Sequence, residues 1–299
     1  CHPMTCSRPP LARAARLAAC LAVAAAACSP AAPSASDTPN VLLILIDTLR
    51  ADRLGIHGNQ RGLSPSIDRL AGAAVVFEQA SAHAPWTLPS TASLLTGRLP
   101  AQHGAGGHLG AFSRLDQGVP TIQGHFRRAG YATAAVVNVS FLGPEFGLAR
   151  GFEHHDLQAF ESNHEVRRAD ATTEAALTWL RTDRGGRPFF LLAHYFDPHA
   201  VYDPPQPYRR RFALEPDREL GAESGGQSGA GGDFVFGTRE DLLALRTGRL
   251  QLVPETLRRA EALYDAEVAF TDAEVGRLLD GLEELGLAGD TLVVLTADH

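Results

Sequence analysis

Runs of apolar residues divide the chain into segments that predict strands and helices. Continuous apolar runs rich in branched side chains are typical of strands buried in a parallel sheet. Such runs occupy residues 41–46, 133–137, 189–196 and 291–296, and a shorter one lies at 75–77. Because these runs alternate with helical segments, the pattern predicts an α/β fold. We expect a three-layer sandwich, with a mostly parallel sheet and helices on both faces.

Periodicity and capping residues predict the helices between these strands. In the clearest helix, residues 255–285, apolar side chains recur at alternating steps of four and three and so share one face. Residues 203–254 combine prolines with a Gly/Ser-rich patch at 221–232, which indicates a long and partly disordered loop. The other predicted helices cover residues 64–71, 90–96, 121–129 and 165–180.

One stretch places a hydroxyl group just ahead of a predicted helix. Pro85 and Pro89 indicate a loop, and the helix is expected to begin at Ser90. Thr87 therefore precedes a helix N-terminus, where free N–H groups and the helix dipole favour an anion. Thr87 can act there as a nucleophile or hold a phosphate-like group. Alternatively, Thr87 and Ser90 only cap the helix.

Polar side chains follow three of the predicted strands. Asp47 follows the first strand, His199 lies just beyond the strand at 189–196, and Asp298 and His299 follow the last strand. In parallel sheets, ligands bind beyond the carboxyl ends of the strands. Together with Thr87, the two aspartates and His299 can hold one divalent ion, which would lower the pKa of the threonine hydroxyl. Each residue alone is also explained as a turn or cap residue.

Composition narrows the classes of function. The net charge is −7 and no basic run occurs, which argues against a nucleic-acid partner. All 27 basic residues are arginine. The four cysteines lie within the first 28 residues, so the body of the chain has no disulfide, no cysteine metal site and no thiol nucleophile.

The first 28 residues are typical of an export leader. Arginines precede a short apolar segment at 17–27, which is too short to span a bilayer. Small residues before Cys28 resemble a bacterial lipoprotein processing site, with Cys28 lipidated, although a plain secretory signal is the alternative. Residues 29–38 are expected to form a flexible tether. We therefore expect export to the periplasm or cell surface, with membrane contact only through such an anchor. The end of the sequence directly after a strand predicts a truncated catalytic domain over 39–299.

The segment around Thr87 resembles the signature of the sulfatase family, within the alkaline phosphatase superfamily. The family pattern Cys/Ser-x-Pro-Ser-x-Ala-Ser-Leu-Leu-Thr-Gly aligns with residues 87–97, and the match at Pro89 puts Thr87 at the nucleophile position. The resemblance implies an alkaline-phosphatase-like fold for the body of the chain. Further similar segments are residues 40–47, 64–71, 197–199, 264–279 and 292–299.

The resemblance also implies roles for particular residues. Asp47, Asp298 and His299 correspond to metal ligands with Thr87 in the same shell. His199 corresponds to a catalytic residue that contacts the substrate anion or the leaving group. Asn138 lies where the family usually has a Gly-Lys-x-His segment, and it can still donate a hydrogen bond to the substrate.

Two departures from the family pattern affect the metal. The usual Asp-Asp pair is Asp47-Thr48 here, so one carboxylate ligand is missing. His299 replaces the commoner Asn, and an imidazole ligand shifts the preference from Ca²⁺ toward Mn²⁺ or Zn²⁺. We therefore expect one divalent ion, either Mn²⁺, Zn²⁺ or Ca²⁺, as the cofactor.

Together, these features predict a metal-dependent hydrolase of sulfate or phosphate esters with Thr87 as its nucleophile. The substrate would be a small-molecule, glycan or lipid ester. One alternative is a phosphotransferase or phosphodiesterase acting on lipid or glycan phosphates. A second alternative is a catalytically inactive binding protein with the sulfatase fold, which the missing carboxylate and the absence of lysine favour.

Overall fold

The computed structural model describes residues 38–108, 111–158, 167–212, 227–228 and 234–299. The predicted leader with Cys28, and the tether up to residue 37, lie outside the described residues. The strands are β1 (Asn40–Ile46), β2 (Gly106–His108), β3 (Ala111–Ser113), β4 (Ala132–Val137), β5 (His154–Leu157), β6 (Phe189–Tyr195), β7 (Gln227–Ser228), β8 (Phe234–Val235) and β9 (Thr291–Ala297). The helices are α1 (Pro65–Ala71), α2 (Thr87–Thr96), α3 (Pro100–His103), α4 (Ile122–Arg128), α5 (Ala169–Thr182), α6 (Gln206–Phe212), α7 (Arg239–Arg246) and α8 (Pro254–Glu284).

The central sheet has five parallel strands in the order β5-β4-β6-β1-β9. β1 therefore lies between β6 and β9, and nearly all of its side chains are buried. This burial explains its continuous apolar run, because a strand covered on both faces has no solvent-exposed side. The carboxyl ends of β6, β1 and β9 consequently meet at one edge of the sheet.

Alternate side chains of β1 pack into two separate apolar layers. Leu42, Ile44 and Ile46 pack against α1, α5 and α8 on one face, whereas Leu43 and Leu45 pack against α2 on the other. Successive residues of a strand point to opposite faces, so one run of apolar residues serves both layers. The predicted three-layer sandwich is confirmed.

Several predicted elements differ from those in the structure. Residues 75–77 form an exposed irregular segment instead of a strand: Val75 is 81% exposed and Phe77 78% exposed. Residues 203–254 were expected to form one long loop, but their described part contains α6 and α7, and most of the Gly/Ser-rich patch at 221–232 lies outside the described residues. α7 has a capping box, in which Thr238 and Asp241 satisfy each other's backbone N–H groups. In the described part of the chain, no helix has both the length and the apolar character needed to cross a membrane.

Candidate active site

The two aspartates predicted as ligands lie side by side at the carboxyl edge of the sheet. Asp47 directly follows β1 and is fully buried, and Asp298 follows β9 and is 2% exposed. The backbone N–H of Asp47 donates to the carbonyl of Tyr195 in β6 at 2.9 Å, and that of Asp298 donates to the carbonyl of Ile46 at 3.4 Å. The sheet hydrogen bonds thus fix both residues where the three strands end.

Helix α2 places Thr87 at the same edge. The helix begins at Thr87, three residues earlier than predicted, with Trp86 as its N-cap. Pro89 is accommodated because N–H groups in the first turn have no partner within the helix, so proline loses no hydrogen bond there. The Ser90 hydroxyl donates to the backbone carbonyl of Asp298, which ties the start of α2 to the end of β9.

Four predicted site residues come together. The hydroxyl of Thr87 donates to Asp47 Oδ2 at 3.4 Å. His299 Nε2 lies 3.7 Å from Asp47 Oδ1 and 3.6 Å from Asp298 Oδ2. Ligand atoms of Asp47, Asp298 and His299 all lie within 4.8 Å of one another. The structure thus supports the predicted grouping of these residues.

The donor atoms of this group fit a divalent cation. Asp47 Oδ1 and Asp298 Oδ2 are buried and have no hydrogen-bond partner among the described residues. Buried carboxylate oxygens normally have partners, and unpaired ones are costly. Burial and the neighbouring Asp47 charge raise the pKa of Asp298 above its usual value. A cation between these oxygens and the His299 imidazole would relieve that cost, and this donor set suits Mn²⁺ or Zn²⁺.

Thr48, in place of the family's second aspartate, has an unusual backbone conformation. Its φ angle is +52°, in the left-handed region that β-branched residues rarely adopt. In this conformation its N–H donates to Asp298 Oδ1 at 3.0 Å, and its carbonyl accepts the hydroxyl of Tyr264 at 2.8 Å. Such outliers persist only where the surroundings hold them, and they concentrate at functional sites. Here the strained residue fixes the orientation of the Asp298 carboxylate.

The two predicted substrate-binding residues, Asn138 and His199, contact other parts of the protein. Asn138 is fully buried, and its amide donates to the Thr172 hydroxyl at 2.9 Å and to the His194 carbonyl at 2.5 Å. The amide hydrogens of Asn138 are thus directed at the protein interior, an arrangement that does not favour the predicted hydrogen bond to the substrate. His199 is half-buried: its Nδ1 lies 2.6 Å from the Ala200 carbonyl and its ring packs on Phe196.

Sequence reasoning missed His194, which lies in β6 beside Asp47. Its side chain is fully buried, and its Nε2 lies 3.5 Å from Asp47 Oδ2. A histidine inside an otherwise apolar strand was the available signal, because a buried imidazole needs a polar partner. Tyr264 was interpreted only as part of the apolar face of α8. Its hydroxyl in fact connects the carbonyl of Thr48 to the N–H of Arg50.

Asp197, two residues before His199, and Glu267 form a second pair of neighbouring carboxyl groups. Glu267 of α8 is buried, and its Oε1 accepts the N–H of Asp203 at 2.8 Å. Its carboxyl group faces that of Asp197. Burial first, and then the facing carboxylate, raise the pKa of Glu267 well above 4.5. Burial likewise raises the pKa of Asp197 above 3.8.

Glu267→Gln is expected to raise the free energy of unfolding at pH 8, because burial and the facing carboxyl of Asp197 oppose the ionisation of Glu267 in the folded chain but not in the unfolded chain. Below about pH 4 the carboxyl is protonated in the folded and unfolded chain alike, so the gain should vanish. It should grow as the pH rises through the raised pKa. Urea unfolding between pH 4 and 8 measures this. Glu283→Gln, at an exposed position of the same helix, is the control, and a gain independent of pH would contradict the assignment.

Comparisons with known proteins point to one family. A family model described as Sulfatase matches residues 39–299. Iduronate 2-sulfatase of Homo sapiens is 28% identical over 320 residues, which cover 90% of this chain and 56% of that protein. An arylsulfatase of Clostridium perfringens is 26% identical over 314 residues, which cover 87% of this chain and 63% of that protein. The chain thus spans less than two thirds of the length of these relatives.

Solved structures share the fold. The phosphonate monoester hydrolase of Agrobacterium radiobacter superposes with a TM-score of 0.64 at 22% identity, over 87% of this chain and 62% of that one. The protein yidJ of Bacteroides fragilis, described as a sulfatase, gives a TM-score of 0.66 at 19% identity, over 91% of this chain and 64% of that one. At these identities the likeness concerns the fold alone.

Proposed function

The chain belongs to the sulfatase family, and we propose that it is a metal-dependent ester hydrolase with Thr87 as nucleophile. One observation carries the proposal: the Thr87 hydroxyl lies at the start of α2 and donates to Asp47 Oδ2. Close by, Asp47 Oδ1 and Asp298 Oδ2 are buried and have no hydrogen-bond partner among the described residues. An inactive binding protein would have no physical need to keep these costly buried oxygens beside a hydroxyl. The relatives named for sulfatase activity support an ester of a tetrahedral anion as the substrate class.

Each residue of the site has its own role in the proposed reaction. Asp47, Asp298 and His299 would hold one divalent ion, whose charge lowers the pKa of a neighbouring hydroxyl and stabilises the anionic ester. The Thr87 hydroxyl gives its proton to solvent, its oxygen attacks the central atom of the ester, and the bond to the leaving group breaks, so that the departing oxygen takes a proton from water. The first N–H groups of α2 favour the negative charge that develops there.

Threonine favours phosphate over sulfate esters. Ordinary sulfatases use formylglycine, a residue made from cysteine, at the nucleophile position. Its hydrate has two hydroxyl groups: one takes the sulfuryl group, and the other then expels it by elimination. Threonine has only one, so a sulfated threonine is released only when water attacks sulfur. Water releases a phosphorylated threonine in the way that phosphoserine is released in alkaline phosphatases, which the superfamily resemblance suggests. The described body of the chain also has no cysteine from which formylglycine is made.

Matched aryl substrates test this proposal. A phosphate monoester, a phosphate diester and a sulfate ester of the same phenol should be compared on one preparation loaded with Mn²⁺. Because the difference lies in the release of the modified threonine, the steady-state kcat for one of the phosphate esters is expected to exceed that for the sulfate ester by about 100-fold or more, within the 10²–10⁴-fold that a positioned acid or base commonly contributes to such a step. Faster cleavage of the sulfate ester would show that the chemistry of Thr87 has been misassigned.

A further inference from the structure

His194 is a buried polar residue beside Asp47 that the proposed mechanism does not use. It lies near the end of β6, where it pairs with Leu45 of the neighbouring strand. Residues paired across parallel strands share a face of the sheet, and so do residues two apart along one strand. The side chains of His194, Leu45 and Asp47 therefore lie on the face covered by α2, the helix that carries Thr87.

The His194 ring is fully buried, and neither ring nitrogen has a hydrogen-bond partner among the described residues. A neutral imidazole carries one N–H, and leaving it unpaired in the interior costs about 1–3 kcal/mol. Nε2 lies 3.5 Å from Asp47 Oδ2, slightly beyond ordinary hydrogen-bond length. Asn138 holds the strand at this point, because its amide donates to the His194 carbonyl at 2.5 Å.

The two oxygens of Asp47 face different partners. Oδ2 lies 3.5 Å from His194 Nε2 and 3.4 Å from the Thr87 hydroxyl. Oδ1 faces His299 at 3.7 Å and makes no hydrogen bond with a described residue. A hydrogen bond from His194 to Oδ2, beside that from Thr87, would set the rotation of the carboxylate and keep Oδ1 directed toward His299. Hydrogen bonds of this kind orient the ligands of many metal sites.

We propose that His194 is a positioning residue, which donates from Nε2 to Asp47 Oδ2 and thereby keeps Oδ1 directed at the ion site. This role rests on the proposed function, because it requires that Asp47 bind a metal ion. His194 is not assigned as a ligand, because it approaches Oδ2, whereas His299 faces Oδ1. The ligand atoms that lie within 4.8 Å of one another belong to Asp47, Asp298 and His299. The proposed hydrogen bond also explains why a polar residue occupies an otherwise apolar strand.

Mn²⁺ binding to two variants tests the role. His194→Leu removes the donor and keeps an apolar side chain in the strand. It is expected to raise the Kd for Mn²⁺, measured by calorimetry on the metal-free protein, by about 10- to 100-fold. His194→Gln places an amide N–H near the position of Nε2, and it should stay within about threefold of the wild type, since the donor is retained. The rise in Tm on adding Mn²⁺ should follow the same order.

A purely structural role for His194 predicts a different result. In that case both variants lower the Tm of the metal-free protein, and Kd does not depend on whether a donor is retained. The positioning role predicts nearly unchanged metal-free Tm in His194→Leu, because replacing a poorly paired buried group with an apolar one is close to neutral. If leucine disturbs the fold, His194→Met repeats the test without an N–H.

The outcomes separate this inference from the proposed function. Wild-type protein that binds Mn²⁺ while His194→Leu binds it equally well overturns the positioning role alone. Wild-type protein that binds neither Mn²⁺ nor Zn²⁺ overturns both the metal site and the role of His194 within it. Tight binding by the wild type and by His194→Gln, with weak binding by His194→Leu, supports both.

Discussion

Thr87→Ala is expected to lower kcat for an aryl phosphate by about 10⁴-fold or more, because loss of a nucleophile in a covalent hydrolase costs up to roughly 10⁶-fold. The fold should remain intact, since among the described residues the Thr87 side chain hydrogen-bonds to Asp47, whereas Leu88 and Leu95 anchor α2 in the core. Kinetics and circular dichroism on the same preparations test both statements. Thr96→Ala makes the same chemical change at the other end of the helix and should retain activity.

Thr87→Ser refines this test. Serine keeps the hydroxyl group but loses the methyl group that restricts its rotation. We expect a reduced but measurable kcat, well above that of Thr87→Ala. Full activity in Thr87→Ala, or equal loss in the alanine and serine variants, would contradict the role of the hydroxyl.

Asp298→Ala is expected to remove the bound ion. Wild-type protein should contain about one divalent ion per chain, and the variant should lose more affinity than the roughly 10- to 100-fold that removal of a supporting contact costs. Elemental analysis after dialysis against Mn²⁺ measures the stoichiometry. Removal of the ion by a chelator should abolish turnover in the wild type, and Mn²⁺ should restore it.

Two controls separate loss of the ligand from loss of structure. Asp298→Asn keeps an oxygen that accepts the N–H groups of Thr48 and His299, which lie 3.0 Å and 2.8 Å from Oδ1. This variant should fold like the wild type and bind the ion weakly. Asp290→Ala removes an exposed carboxylate just before β9 and should leave the metal content unchanged. Unaltered metal content in Asp298→Ala would refute the assigned ligand set.

The strand framework was predictable because the buried strands carry their own signal. The four longer apolar runs correspond to β1, β4, β6 and β9. Strands β1, β4 and β6 are buried on both faces and so must be apolar throughout. The last run was expected to be buried as well, but β9 lies at the edge of the sheet, where Leu292 is 56% and Val294 39% exposed. The apolar run at 75–77, in contrast, does not form a strand. A three-residue run is too short to specify a partner strand, and the segment lies exposed. β5 was missed because its sequence, His-His-Asp-Leu, is polar and its side chains are only partly buried or exposed.

The site was predictable only as far as strand ends determine it. Asp47 and Asp298 follow adjacent parallel strands, so their proximity follows from the topology. His194 could not be assigned, because its partner depends on the register between β1 and β6, which no local pattern encodes. The inward direction of Asn138 likewise depends on contacts with α5 and β6. Side-chain direction at the site therefore required the tertiary structure.

A covalent intermediate on Thr87 tests the central claim most directly. Wild-type protein should be mixed with an aryl phosphate, quenched in acid within the first turnovers, digested and analysed by mass spectrometry. The account predicts phosphate attached to Thr87, together with a burst of phenol release approaching one equivalent per metal-loaded chain. Phosphate attached to a different residue, or rapid turnover in which Thr87 stays unmodified and no burst occurs, would contradict it.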